Sequence, residues 1–289
     1  MATLIDLRRR IRSVQNSRQI TQAMKTVATA KFRKAQRTVL EARPFWHIFP
    51  ELMERLARWA SAGAHPLLLR RDERKAAVVV VTSDKGLAGS YNSNLLAAAD
   101  AFIAEKAKTA EVRLVLIGKK AALHYRRTKH PVDRVFGDRT DRLTREELRD
   151  LAEALMRDYA FQRTDAVYIV TNEFRSIVAP RIMTHRVLPL EPAPGEGAAA
   201  GVAPDWEPED RRLAAFLLPL YVESQIHHAV HESQAAEQAA RMMAMDNATK
   251  NAEELIEALV LQLNKIRQAG ITKELLEIMT AVEALKQTN

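Results

Sequence analysis

The sequence predicts an α/β fold: a long antiparallel coiled coil of N- and C-terminal helices plus a Rossmann-like α/β body with a mainly parallel sheet. Three observations predict it. Apolar residues recur at helical spacing through both ends of the chain, breakers are nearly absent from those ends, and short β-branched runs alternate with helical stretches between them.

Residues 1–43 contain neither Gly nor Pro, and Leu4, Leu7, Ile11 and Val14, then Ile20, Met24, Val27, Ala28, Phe32, Ala35 and Val39, follow spacings of three and four. That is an amphipathic helix with a coiled-coil-like seam. Pro44 and Pro50 are expected to bend or end it, with a second helical piece over Glu51–Ala62 before the breaker Gly63.

The period then changes. Ala76–Ser83, Val112–Gly118 and Ala166–Phe174 are β-branched runs, separated by helical stretches at Ser93–Lys108, Lys119–Arg127 and Arg145–Phe161. Strands alternating with helices indicate a parallel, doubly wound sheet. Met183–Leu190 adds a further strand, and Glu191–Pro208, rich in Pro, Gly and Ala, reads as a linker. The domain division is therefore 1–62 helix, 63–190 body, 191–208 linker and 209–289 helix.

Beyond Pro219 only Gly270 interrupts the helical pattern, so at ~1.5 Å per residue the last helix is on the order of 100 Å long. Small residues line its first part (Ala235, Ala236, Ala239, Ala240, Ala244, Ala248, Ala252) and large ones its end (Leu255, Leu259, Leu263, Ile266, Leu275, Ile278, Val282, Leu285). Small side chains let two helix backbones approach closely. The first helix spans only ~65 Å, so the last must outrun it, and an apolar helix protruding alone into water needs a sheath from another protein.

Composition narrows the function. The 289 residues carry 44 Lys plus Arg against 36 Asp plus Glu, a net of +8, and no Cys. The absence of cysteine excludes disulfides, thiolate metal clusters and a cysteine nucleophile. No apolar run reaches the ~18–20 residues needed to cross a bilayer. A basic excess suggests a nucleic-acid partner, but its location argues otherwise. Residues 1–43 have 11 basic and two acidic side chains, a net of +9, whereas residues 205–289 have 14 acidic and eight basic, a net of −6. Oppositely charged long helices pair with each other. A helical pattern that continues well past residue 30 also disfavours a cleavable, Arg-rich leader.

Catalytic motifs are missing: there is no GxxxxGK[ST], GxSxG or HExxH. The first strand lacks the GxGxxG of a dinucleotide enzyme. The Gly86-Leu87-Ala88-Gly89 turn has the setting of an anion site, but a strand-to-helix turn needing permissive backbone is the better explanation. His227 and His231, four apart beside Glu232, lack a third metal ligand. Met242, Met243 and Met245 read as adaptable packing near a helix crossing.

Four segments carry a resemblance. RRRIRSVQNSRQITQAMKTVATAKFRKAQ (Arg8–Gln36), TSDKGLAGSYN (Thr82–Asn92), ESQAAEQAARMMAMDNATKNAEELI (Glu232–Ile256) and LQLNKIRQAGITKELLEI (Leu261–Ile278) resemble, in order, the γ subunit family of F-type rotary ATP synthases. The resemblance implies a non-catalytic central rotor stalk without cofactors. Its partners would be the α and β subunits of a catalytic ring, the ε subunit and the membrane-embedded c-ring, and ion flow, expected to be of protons, would be coupled to ATP synthesis or hydrolysis by rotation. It also implies a peripheral location on the cytoplasmic face of a bacterial inner membrane, with membrane association only through the complex and no nucleic acid.

By the same resemblance, Arg267 and Gln268 match a polar pair that hydrogen-bonds a loop of the catalytic β subunit, with Thr272 and Glu274 in that network and Arg241 coupled to it. Met24 and Lys25 lie where the first helix meets an acidic lever segment of β. Trp206 and Glu207 match an acidic-aromatic segment near ε or the c-ring. Two departures stand out: Ala88 replaces a cysteine found in many bacterial members, and the tip reads MTAVEAL without the usual small Gly pair.

Overall fold

The structure, a computed structural model, describes residues 4–59, 65–137, 140–176, 181–190 and 210–287. Helix α1 (Leu4–Trp59) leads into β1 (Lys75–Val81), α2 (Tyr91–Lys106), β2 (Glu111–Ile117), α3 (Lys119–Tyr125), β3 (Val132–Phe136), α4 (Arg145–Ala160), β4 (Ala166–Glu173), β5 (Arg181–Leu188) and α5 (Asp210–Gln287). The strands form one sheet in the order β3-β2-β1-β4-β5. β1 pairs in parallel with β2 and β4, β2 with β3, and only β5 runs antiparallel, against β4.

The chain divides into two compact units, one of residues 1–27 with 242–289 and one of residues 28–241. Both α1 and α5 contribute to each.

In the larger unit the central strand β1 is buried from Ala76 to Val81 because both faces of the sheet are covered there. Successive β1 residues point to opposite faces. Ala77, Val79 and Val81 join Phe49, Met53 and Leu56 of α1, Leu151 and Leu155 of α4, and Leu218, Val222 and Ile226 of α5. Ala76, Val78 and Val80 pack instead with Leu95, Ala99 and Ile103 of α2 and with Ala121 and Tyr125 of α3. Helix α4 begins on a capping box in which Thr144 and Glu147 satisfy each other's backbone N–H groups. Gly118 has φ 98°, and a Cβ there would lie 2.3 Å from the Thr82 carbonyl oxygen, so the turn from β2 into α3 admits no side chain.

In the smaller unit Leu7 and Ile11 are buried against Leu259, flanked by Val14, Leu263 and Ile266. Arg18 meets Glu253 at 3.6 Å, Thr21 meets Thr249 at 2.8 Å, and Lys25 meets Asp246 at 2.6 Å. As the α1 number rises the α5 number falls, so the two helices run antiparallel with basic side chains against acidic ones.

Two expectations need correction. Helix α1 continues without interruption through Pro44 and Pro50 as far as Trp59. Pro44 lies on the exposed side, where water can satisfy the carbonyl that its missing N–H leaves behind. The edge strand β3 was not anticipated, because Val132-Asp133-Arg134-Val135 is exposed along its length and carries two charges. The Glu191–Pro208 segment lies outside the described residues.

Candidate functional site

Helix α5 changes character near its C-terminal end. From Arg267 to Thr280 every residue is exposed, including Ile271, Leu275, Leu276, Ile278 and Met279, the last at 68%. At about 100° per residue, Arg267, Gln268, Ile271, Thr272, Glu274, Leu275, Leu276, Ile278 and Met279 fall within an arc of roughly 200°. Ala269, Gly270, Lys273, Glu277 and Thr280 occupy the remainder, where Lys273 and Glu277 pair at 3.7 Å. One side of the helix is thus an ordinary solvated surface. The other side interleaves large apolar groups with an arginine, a glutamine, a threonine and a glutamate, a mixture suited to a buried protein contact with fixed polar partners. Among the described residues, apart from the helix's own backbone and the adjacent residues, nothing lies within 4 Å of a Cβ placed on Gly270. An exposed mid-helix glycine costs about 1 kcal/mol relative to alanine, and no packing among the described residues calls for it.

The remaining residues expected at partner contacts lie elsewhere. Met24 and Lys25 are half-buried on α1, and Lys25 is held by Asp246. Asp246 also meets Lys250 at 3.1 Å, and the hydrogen bonds from Lys25 and then Lys250 lower its pKa. Along α5, Asp246 is about 30 Å from Arg267, so Lys25 lies well apart from the Arg267 face. Arg241 is 8% exposed and sits in the larger unit, donating to Glu237 at 2.6 Å and to the Gly86 carbonyl at 3.2 Å. The structure therefore groups Arg267, Gln268, Thr272 and Glu274, and gives Arg241 an intrachain role in holding the loop after β1. Trp206 and Glu207 lie outside the described residues.

In a parallel sheet, ligands usually bind beyond the carboxyl ends of the strands, at the point where the strand order reverses. Here that point lies between β1 and β4, and α5 fills it. The Glu232 carboxylate accepts the Phe174 N–H at 2.8 Å just past β4. Tyr91 Oη, at the start of α2, lies 2.6 Å from Ser233 Oγ, and Thr171 donates to the Ala229 carbonyl at 3.0 Å. Burial of Glu232 opposes its ionisation, yet its bonds to His228 and the Phe174 N–H, with Arg43 nearby, hold its pKa below the usual value. In the sequence Glu232 stands beside the histidines and opens the Glu232–Ile256 motif, with no sign of a partner in β4. Its capping role depends on a residue 58 positions away, a relation that local spacing cannot reveal.

The histidines of α5 pack as rings: His228 lies 4.4 Å from the Trp46 ring centroid, and His227 stacks on His231 at 6.0 Å. Among the described residues no group of three or more His, Asp or Glu could hold a metal ion. No helix among them is long and apolar enough to cross a membrane.

Comparison with known proteins adds to this geometry. A family profile described as ATP synthase matches residues 3–285. The chain is 41% identical over 287 residues to the ATP synthase gamma chain of Geobacter sp. (strain M21), covering 99% of this chain and 100% of that one. It is 42% identical over 289 residues to the ATP synthase gamma chain of Anaeromyxobacter dehalogenans (strain 2CP-C), with the same coverage. Among solved structures, a chain of the Euglena gracilis mitochondrial ATP synthase rotor superposes with a TM-score of 0.64 at 18% identity, over 93% of this chain and 98% of that one. A chain from the central stalk and c-ring of the Tetrahymena thermophila mitochondrial ATP synthase gives 0.60 at 22% identity, over 79% and 99%.

Proposed function

The chain belongs to the ATP synthase gamma-chain family and is a non-catalytic subunit of that enzyme's rotor stalk; from this premise we propose how its surfaces couple rotation to catalysis. The observation that carries the proposal is the α5 face around Arg267, which leaves Ile271, Leu275, Ile278 and Met279 exposed in the isolated chain. A contiguous apolar face of this kind marks a protein contact. In this reading it lies inside a ring of α and β subunits, where Arg267, Gln268, Thr272 and Glu274 hydrogen-bond a loop of β.

Met24 and Lys25 meet the acidic lever of β lower on the shaft, and Arg241 supports the same coupling by fixing the loop after β1. Trp206 and Glu207 contact the ε subunit or the c-ring. Residues 1–62 and 209–289 supply the shaft, 63–190 the body and 191–208 the linker. Proton flow through the membrane sector turns the shaft, which presents a different side to each β subunit. Rotation of a one-sided ligand shifts populations only because its contacts differ among the β conformations. The chain needs no reacting group for this. Its place is at the cytoplasmic face of a bacterial inner membrane, held there by the rest of the complex.

Purified chain mixed with α and β subunits should form a complex whose ATPase activity depends on this chain. Failure to assemble, or activity indifferent to the chain, would overturn the proposal.

A further inference from the structure

We propose that Gly270 is a contact residue in its own right: it leaves a bare notch on α5 that admits the main chain of a β-subunit loop, whose peptide group is held between Arg267 and Glu274. The proposal rests on the reading of the Arg267 face as the contact with β, and it adds a residue to which that reading gives no role.

The ordinary reasons for a glycine are missing here. Helices α1 and α5, of 56 and 78 residues, contain one glycine between them, Gly270. It falls within the run from Arg267 to Thr280 in which every residue is exposed. Its backbone is helical, without the positive φ that Gly89 and Gly118 adopt, so no torsion calls for it. Helix α5 runs on to Gln287, so Gly270 is no C-terminal cap. Among the described residues nothing packs where its side chain would be. The remaining use of a bare Cα is close approach by a backbone from outside the chain.

Its surroundings say what approaches. At ~100° per residue, Arg267 and Glu274 stand about 60° and 40° around the helix from Gly270, both toward the apolar side, one a turn before it and the other a turn after. On the opposite side Lys273 and Glu277 are occupied with each other at 3.7 Å. Among the described residues neither Arg267 nor Glu274 has an ion pair or a side-chain hydrogen bond.

Arginine only donates hydrogen bonds and an ionised carboxylate only accepts them. Together they suit a group that offers one acceptor and one donor, and an amide does. A side-chain amide would reach the pair past any Cβ. A main-chain segment would not, because its own Cα atoms must lie against the helix surface. The missing side chain therefore selects the main chain.

The test compares the isolated chain with the chain assembled with α and β subunits, in the parent and in Gly270→Ala, Gly270→Gln and Ala269→Gln. Alanine and glutamine are better helix formers than glycine, so both isolated Gly270 variants should melt no lower than the parent. In the complex, ATP hydrolysis should fall about threefold for Gly270→Ala and about tenfold or more for Gly270→Gln, the loss growing with the bulk in the notch. A Gly270→Gln chain that melts like the parent but fails to assemble, where Gly270→Ala assembles, would report the same clash. Ala269→Gln adds bulk at an exposed position on the solvated side and should stay within about twofold of the parent. Parent activity in the Gly270→Gln complex would overturn the proposal and leave the stalk reading intact. So would equal losses in the two Gly270 variants, the mark of a need for helix flexibility, or an Ala269→Gln loss as large as that of Gly270→Gln, the mark of general crowding. A parent chain that forms no complex would overturn the stalk reading itself, and the notch with it.

Discussion

Arg43 of α1 donates to the Phe174 carbonyl at 3.0 Å and lies 3.4 Å from Glu232 of α5, which itself accepts the Phe174 N–H. One peptide segment at the end of β4 is thus gripped by a cation from one terminal helix and an anion from the other. Glu232→Ala removes the acceptor of a buried N–H and leaves Arg43 without its carboxylate. The expected loss is about 2–4 kcal/mol, measured as a lower urea midpoint, with Glu232→Gln falling between parent and alanine. Equal midpoints for parent and Glu232→Ala would show that water replaces the carboxylate at no cost.

Acid should weaken the fold. Burial of the His185 ring, and secondarily the proximity of His228, lower its pKa to about 4, and its Nε2 is enclosed without a hydrogen-bond partner. An unfolded histidine titrates near 6.5, so below that pH the unfolded chain binds more protons. Stability from His185 is full above about 6.5 and declines as pH falls toward 4. His227 and His231, lowered chiefly by burial, act in the same direction. Glu232, held below its unfolded value, adds a loss at the acid end as it protonates. The melting temperature should therefore fall steadily from pH 7 to pH 4, and His185→Gln should flatten the upper part of that slope. An unaltered slope in His185→Gln would exclude this ring as a source.

Gly118→Ala is expected to cost about 3 kcal/mol or more, since its Cβ would meet the Thr82 carbonyl oxygen and its φ is positive. Gly270→Ala provides the contrast: with open space around it, the isolated chain should gain up to about 1 kcal/mol. Denaturant midpoints for the two variants should move in opposite directions.

Replacing Arg267 and Gln268 together by alanine should change the stability of the isolated chain by no more than about 0.5 kcal/mol, because both are exposed. ATP synthesis by the assembled enzyme should drop about tenfold or more if these side chains make buried polar contacts with β. A normal synthesis rate would remove them from the mechanism.

The strands and terminal helices were legible because their signals are local. Val78–Val81 is apolar at every step, and Leu7, Ile11 and Val14 repeat at helical spacing. β3 was hidden because an exposed edge strand needs no apolar alternation. The breaks expected at Pro44 and Pro50 failed because the backbone preference of proline yields to the packing of the surrounding helix. The Arg267 face was legible only through its motif: an arginine and a glutamine on a solvated helix have no distinguishing pattern until the apolar residues around them are seen to lack cover. Asp84 lies in the TSDKGLAGSYN motif, but its two oxygens join segments 35 and 56 residues away, a role that local spacing does not reveal.

Helix α5 passes without a break from Glu232 to the Arg267 face and on to Gln287. Mechanically, the Arg43–Phe174–Glu232 contact is a clamp on a rod. The crevice that a related fold would keep open for a cofactor is here filled by α5, so side chains placed where a ligand would sit grip a helix instead.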